Sequence, residues 1–369
     1  MTGCDFVALA AEGVRALSPY KPGKPMEELQ RELGLSGIVK LASNESPLGP
    51  GAAALAAVAE CARGIARYPD GNGFALKQAL AAHHRVTPDM LTLGNGSNDV
   101  LELITRAFVT PDNEVVFSQH AFAVYPLVTQ AVGAKAVVTP AKNFAHDLDA
   151  MAAAVSPKTR LIFVANPNNP TGTWVPEKVL ASFIVSIPET VLVVVDEAYF
   201  EYVEEPAYKS FVSQLGKHRN LIVTRTFSKA YGLAGLRVGY AVSDRQVADV
   251  LNRVRQPFNV NAMALAAAEA ALGDRAHLEK SIQVNRSGMK KLVTTFDEMG
   301  IEHIPSVGNF IAARMPKPGA EIFAALLKQG IIVRPIAEYE MPDFIRVTVG
   351  TEDENERFIE VLSDVLSGT

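Results

Sequence analysis

Residues 226–240, Thr-Phe-Ser-Lys-Ala-Tyr-Gly-Leu-Ala-Gly-Leu-Arg-Val-Gly-Tyr, set one lysine among hydroxyls, glycines and an arginine directly after an apolar run. Leu221, Ile222 and Val223 predict a buried strand. That puts Ser228 and Lys229 just past its carboxyl end, where open α/β sheets place their ligands. Gly232, Gly235 and Gly239 permit tight turns and close backbone approach, and Arg237 carries a planar fork of donors matched to phosphate oxygens. Alone, the stretch reads equally well as a surface loop with solvated charges, so its neighbours must decide.

Those neighbours alternate strand and helix. Strands are expected at Met90–Leu93, Glu114–Ser118, Ala136–Thr139, Leu161–Ala165, Val191–Val195, Leu221–Thr224 and Val238–Val242, with helices between, including Asp99–Phe108, Tyr125–Val132 and Glu177–Ile187. This order predicts an α/β fold with a mainly parallel sheet sandwiched by helices. Beyond Asn261 come an alanine-rich run and a charged helix, Arg275–Glu298. Short strands at Ile311–Arg314, Ile331–Arg334 and Ile345–Val349 then surround a helix at Ala320–Lys328 and suggest a smaller α+β domain. The expected division is an arm with part of the small domain at 1–40, a large domain at 41–275 and a small domain at 276–369. Within the arm, residues 5–17 have helix-like apolar spacing, and Glu27–Leu33 suits a short helix.

Composition narrows the function by exclusion. A chain of 369 residues with 48% hydrophobic and 20% charged residues is that of an ordinary globular protein. A net charge of −5 and no Lys/Arg-rich run give no footprint for nucleic acid or an anionic membrane. Two cysteines, Cys4 and Cys61, provide no disulfide framework, and the start lacks the pattern of a signal peptide, so a cytoplasmic location is expected. The one close histidine pair, His83-His84, diverges on a helix and suits a metal poorly. No metal is expected.

Three further segments end strands with chemistry. Asp196 follows Val191-Leu-Val-Val-Val195, a run expected to be buried on both faces. A carboxylate there either caps the next helix or meets a cation such as a pyridinium nitrogen. Tyr199, three residues on, can bring its hydroxyl to the same place. Val164-Ala-Asn166-Pro-Asn-Asn-Pro-Thr-Gly172 is held in a fixed turn by two prolines, and Asn166 is expected to project its amide into the site. Gly94-Asn-Gly96-Ser97-Asn98-Asp99 joins a strand to a helix, leaving backbone N–H groups for a phosphate. Phe122 could stack on an aromatic ring, the turn Arg67-Tyr68-Pro-Asp-Gly71 presents Tyr68, and the loop 42–50 carries Asn44 and other polar residues that either line a site or face solvent.

A Schiff-base lysine, an Asp for a pyridinium nitrogen, Asn and Tyr for a phenolic oxygen and a phosphate cradle make up the inventory that pyridoxal 5'-phosphate requires. The chain resembles the fold-type I pyridoxal-phosphate enzymes of the aminotransferase class I and II family. The motifs Asn44-Glu-Ser-Pro47, Arg67-Tyr-Pro-Asp70, Asn166-Pro-Asn-Asn-Pro-Thr-Gly172, Thr226–Arg237 and Arg346-Val-Thr-Val-Gly-Thr351 carry the likeness in order over nearly the whole chain. Ser18-Pro-Tyr20-Lys-Pro-Gly-Lys24 and the Arg346 motif point to the branch acting on histidinol phosphate.

The resemblance implies that Lys229 forms the Schiff base and shuttles a proton, with Asp196 on the ring nitrogen. Asn166 and Tyr199 would contact the ring oxygen, and Phe122 would stack where relatives often have Tyr. Gly96, Ser97, Asn98, Thr226, Ser228 and Arg237 would hold the phosphate end, with Tyr68 reaching across from a second subunit of a homodimer. Tyr20, Asn44, Asn166, Arg334 and Arg346 would meet the substrates, histidinol phosphate and 2-oxoglutarate or glutamate, in histidine biosynthesis. Aromatic amino-acid transamination is the alternative, and a decarboxylase using the same lysine a more distant one.

Overall fold

Strand-forming runs and helical stretches assemble into two sheets of unlike construction. The computed structural model describes residues 4–19, 23–35 and 37–368. The larger sheet has seven strands: β1 (Leu91–Gly94), β2 (Glu114–Ser118), β3 (Lys135–Thr139), β4 (Thr159–Ala165), β5 (Leu192–Asp196), β6 (Leu221–Thr226) and β7 (Gly239–Ser243). Their spatial order is β1-β7-β6-β5-β4-β2-β3. The five strands from β6 to β3 run parallel, and β7 alone runs antiparallel, between β1 and β6. The valine run of β5 is buried on both faces because it lies inside this sheet. Val193 and Val195 point into one buried core with Val223, while Val194 joins Phe163 and Ile222 in the other.

Helices cover both faces. The alanine-rich helices α1 (Ala52–Cys61) and α2 (Ala262–Gly273) pack against each other, as small side chains allow. Asp274 ends α2 and accepts from the backbone N–H of His277, which starts the 24-residue helix α3 (Arg275–Glu298) at once.

The second sheet is wholly antiparallel: β8 (His303–Ile304), β9 (Phe310–Arg314), β10 (Arg334–Ile336) and β11 (Met341–Thr348), in the order β8-β9-β11-β10. One face buries Ile311, Ala313, Ile345 and Val347 against α3, α4 (Gly319–Lys328) and α5 (Glu352–Ser367). Helix α5 starts with a capping box between Thr351 and Glu354. Alternation along β11 turns Arg346 to the opposite face, toward the larger sheet.

Two expected elements differ. Ile331–Arg334 is not one strand. Ile331 and Ile332 pair in parallel with Val39 and Lys40, whereas Arg334 begins β10, where the register shifts at Pro335, a residue without an N–H for the ladder. Residues 5–17 form two single helical turns, Phe6–Leu9 and Glu12–Arg15, separated by extended backbone at Ala10 and Ala11. Phe6, Leu9 and Val14 are exposed, so no packed face holds a longer helix together.

Candidate active site

The carboxyl ends of β4, β5 and β6 open into a cavity of about 340 Å³ that the second sheet closes from the other side. Asn44, Ser97, Asn98, Phe122, Asp196, Tyr199, Thr226, Ser228, Lys229, Arg237, Arg334 and Arg346 line it, so one cavity unites residues spread over some 300 positions. Gly96 lies directly behind, against the Arg237 guanidinium.

Asp196 is the last residue of β5. Its Oδ1 accepts from Thr224 Oγ1 and its Oδ2 from Tyr125 Oη, each at 3.0 Å. Burial pushes its carboxyl above the usual range, and these two hydrogen bonds pull the other way by favouring the charged form. Tyr125 is itself locked, stacked on Phe163 with ring centroids 4.4 Å apart. Behind Asp196, the buried Glu197 accepts from Arg225 Nε at 2.8 Å and from the Phe211 N–H, and Arg225 also reaches Glu201.

Lys229 Nζ donates to the Ser43 carbonyl at 2.9 Å and stands 5.7 Å from the centre of the Tyr199 ring. Burial, aided by the nearby Arg346 and Arg237 charges and opposed by Glu45, lowers its pKa to about 7. Burial lifts the Tyr199 phenol to about 12 against the pull of Arg346 and of Asn44, whose Nδ2 donates to Tyr199 Oη at 2.9 Å. Asn44 is fastened in turn to Thr348 of β11 through its backbone N–H.

The helix Ser97–Phe108 begins without a side-chain cap, its N-cap residue being Gly96. Its first residues, Ser97 and Asn98, line the cavity end where Arg237 Nη1 donates to Ser228 Oγ at 3.2 Å. Gly96 has φ +84°, which favours glycine, and a Cβ there would come within 2.3 Å of Arg237 Nη2 and push the guanidinium out of place. Uncapped N–H groups, a hydroxyl and a guanidinium converging at one point form an anion cradle.

On the opposite wall, Arg334 and Arg346 are direct partners across β10 and β11 and so project from the same face. Both are buried, at 8% and 6% exposure. Arg346 donates to Asn169 Oδ1 and to the Ala42 carbonyl, while its buried Nε has no hydrogen-bond partner; Arg334 is paired with Glu338.

Two expected residues do not line the cavity. Asn166 does not face the cavity: its Nδ2 donates to the Val175 carbonyl and its Oδ1 accepts the Val175 N–H, which anchors the turn instead. Tyr68 is 82% exposed and does not line its own chain's cavity. Tyr20 lies outside the described residues. Conversely, Tyr125, Thr224 and Ser43 were not foreseen. Nothing in their local pattern separates a tyrosine within a helix, or a threonine within a strand, from ordinary core residues.

A buried lysine, an anion cradle and a buried carboxylate at the ends of parallel strands define a pyridoxal-phosphate-dependent aminotransferase of fold type I. Residues 36–362 match the model of the aminotransferase class I and II family, and the chain belongs to that family. It is 57% identical over 365 residues, covering 98% of this chain and 99% of the relative, to histidinol-phosphate aminotransferase 2 of Pseudomonas fluorescens strain Pf0-1. It is 53% identical over 361 residues, 98% of each chain, to histidinol-phosphate aminotransferase 1 of Nitrosococcus oceani. Among solved structures, the histidinol-phosphate aminotransferase of Sinorhizobium meliloti in complex with pyridoxal-5'-phosphate superposes with a TM-score of 0.89 at 30% identity, covering 97% of both chains. The site of this chain fits that cofactor: the cradle suits its phosphate, Asp196 its ring nitrogen and Lys229 its aldehyde.

Proposed function

We propose that the protein interconverts histidinol phosphate plus 2-oxoglutarate with imidazole acetol phosphate plus glutamate, in histidine biosynthesis. The observation that carries this reading is the register of Arg334 against Arg346. The two buried guanidinium groups are cross-strand partners on one sheet face; Glu338 pairs with Arg334, whereas Arg346 has no carboxylate partner among the described residues and is left to attract a further anion. They stand across the cavity from Lys229, at a place open to the phosphate of one substrate and a carboxylate of the other.

Bound pyridoxal phosphate supplies an aldehyde for amine exchange and a ring that accepts electrons from the substrate carbon. The residues of the chain do the rest. Asp196, held by Thr224 and Tyr125, would keep a proton on the ring nitrogen. Lys229, whose pKa burial lowers to about 7, can give up its proton far more readily than an exposed lysine and can therefore serve as nucleophile and then as proton carrier at Nζ. Tyr199 would donate toward the ring oxygen, and Phe122 would lie against the ring. Gly96, Ser97, Asn98, Thr226, Ser228 and Arg237 would hold the phosphate end. Asn44 and Arg346 would orient substrate with Arg334, and Tyr20 is proposed as a further substrate contact.

The active form is read as a homodimer in which the exposed Tyr68 completes the partner's phosphate site. The division into an arm at 1–40, a cofactor-binding unit at 41–275 and a smaller unit at 276–369 follows from the same reading. Among the described residues no helix is long and apolar enough to cross a membrane, and a cytoplasmic location is proposed.

The test is a substrate comparison with purified protein, pyridoxal phosphate and 2-oxoglutarate. Histidinol phosphate is expected to have a higher kcat/KM than phenylalanine or tyrosine, with turnover requiring the keto acid. Equal or better use of phenylalanine would move the assignment to aromatic transamination. Carbon dioxide release without a keto acid would make the enzyme a decarboxylase.

A further inference from the structure

Phe258 lies outside the cavity, yet it is held in an unusual way. It is 44% exposed and has φ +58°, the left-handed region that a bulky side chain adopts only when its surroundings impose it. Little core burial compensates, so the ring is placed for something other than packing. Its one ring partner among the described residues is Tyr68, stacked at a centroid distance of 4.8 Å and an interplanar angle of 22°. A Cβ added to Gly71 would lie 3.2 Å from the Phe258 ring, which therefore also sits close to bare backbone of the Tyr68 turn.

The flanking residues tie this stack down. Arg255 Nη2 donates to the Gly71 carbonyl and its Nη1 to Asn259 Oδ1, both at 2.8 Å. Asn259 Nδ2 donates to Asp99 Oδ2 at 2.9 Å, and the same carboxylate oxygen accepts the Asn95 N–H at 2.7 Å. The turn that presents Tyr68 is thus braced against the loop that forms the chain's own phosphate cradle.

We propose that Phe258 is a positioning residue for the neighbouring subunit's cofactor site: it fixes the exposed Tyr68 ring at the angle from which its hydroxyl reaches the phosphate held by the partner. This rests on the homodimer and on the Tyr68 role proposed above. Loss of an aromatic stacking partner is expected to weaken pyridoxal phosphate binding roughly two- to tenfold.

The experiment measures cofactor affinity by equilibrium dialysis for the wild type, Phe258→Ala, Phe258→Tyr and Gly71→Ala, with dimerisation followed by sedimentation. Phe258→Ala should weaken binding in an intact dimer, Phe258→Tyr should restore it, and Gly71→Ala should fall between by displacing the ring. Mixed dimers then locate the effect. A Phe258→Ala chain paired with a Lys229→Ala chain should bind normally at its one lysine-bearing site, because the Tyr68 serving that site is braced by an intact Phe258. A wild-type chain paired with the Phe258→Ala/Lys229→Ala double variant should carry the defect. Unchanged affinity in Phe258→Ala, or a defect that follows the variant's own lysine, overturns the positioning role while leaving the dimer intact. A wild-type chain that sediments as a monomer overturns the dimer reading and this inference with it.

Discussion

Asp196 and Arg346 are buried ions facing one cavity, but they are held in opposite manners. Both oxygens of Asp196 accept from hydroxyls fixed in the larger sheet and its covering helix, and a buried ion pair stands behind it. Arg346 takes its acceptors from an asparagine side chain and one backbone carbonyl, leaves Nε unpartnered, and sits beside a second arginine. The first arrangement has both oxygens fixed by hydroxyls and lacks only one cation, which suits a group that stays. The second is electrostatically unfinished and suits anions that come and go.

The comparison can be broken at three places. The largest effect is expected from Lys229→Ala, which removes the amine shared by both halves: turnover should fall by roughly 10⁴-fold or more, and the visible absorbance of covalently held cofactor should vanish. Normal turnover in that variant would mean that another group moves the proton. Next, Arg346→Ala should lower kcat/KM by at least about 30-fold for both the amino donor and the keto acid, chiefly through KM, with cofactor affinity unchanged. Unaltered kinetics would locate anion binding elsewhere. The smallest effect is expected from Tyr125→Phe, which deletes one hydrogen bond to Asp196 but keeps the stack on Phe163. Steady-state kcat should drop roughly three- to tenfold with little change in Tm, and an undiminished kcat would show Thr224 to be sufficient.

The half of the site on the larger sheet was the more legible in sequence. Lys229, Asp196 and the Gly96–Asn98 loop each follow an apolar strand, and a parallel sheet collects all its strand ends on one edge, so local pattern implied their meeting. Arg334 and Arg346 carried no such signal. Their adjacency depends on a cross-strand register set by a bulge at Pro335, and only resemblance to a family singled them out. Asn166 went astray for a related reason: a strand end fixes where the residue sits but not which backbone group its amide takes, and Val175 took it. Residues 5–17 had a helical period without a surface to bury it on, and period alone does not sustain a helix.

The placement of β7 has a consequence for the order in which the molecule matures. The cradle draws Gly96–Asn98 from the end of β1 and Arg237 from the approach to β7, neighbours in the sheet but about 140 residues apart in the chain. A Cβ on Gly239 would fall 2.5 Å from the Ser97 nitrogen, so the fit between the two strands is backbone on backbone. No partly formed chain lacking either strand possesses the cradle, and closing so long a loop is an entropically slow step. Competence to take up cofactor therefore belongs only to chains whose larger sheet has closed, and bound cofactor, by mass action, selects the finished fold from everything that precedes it.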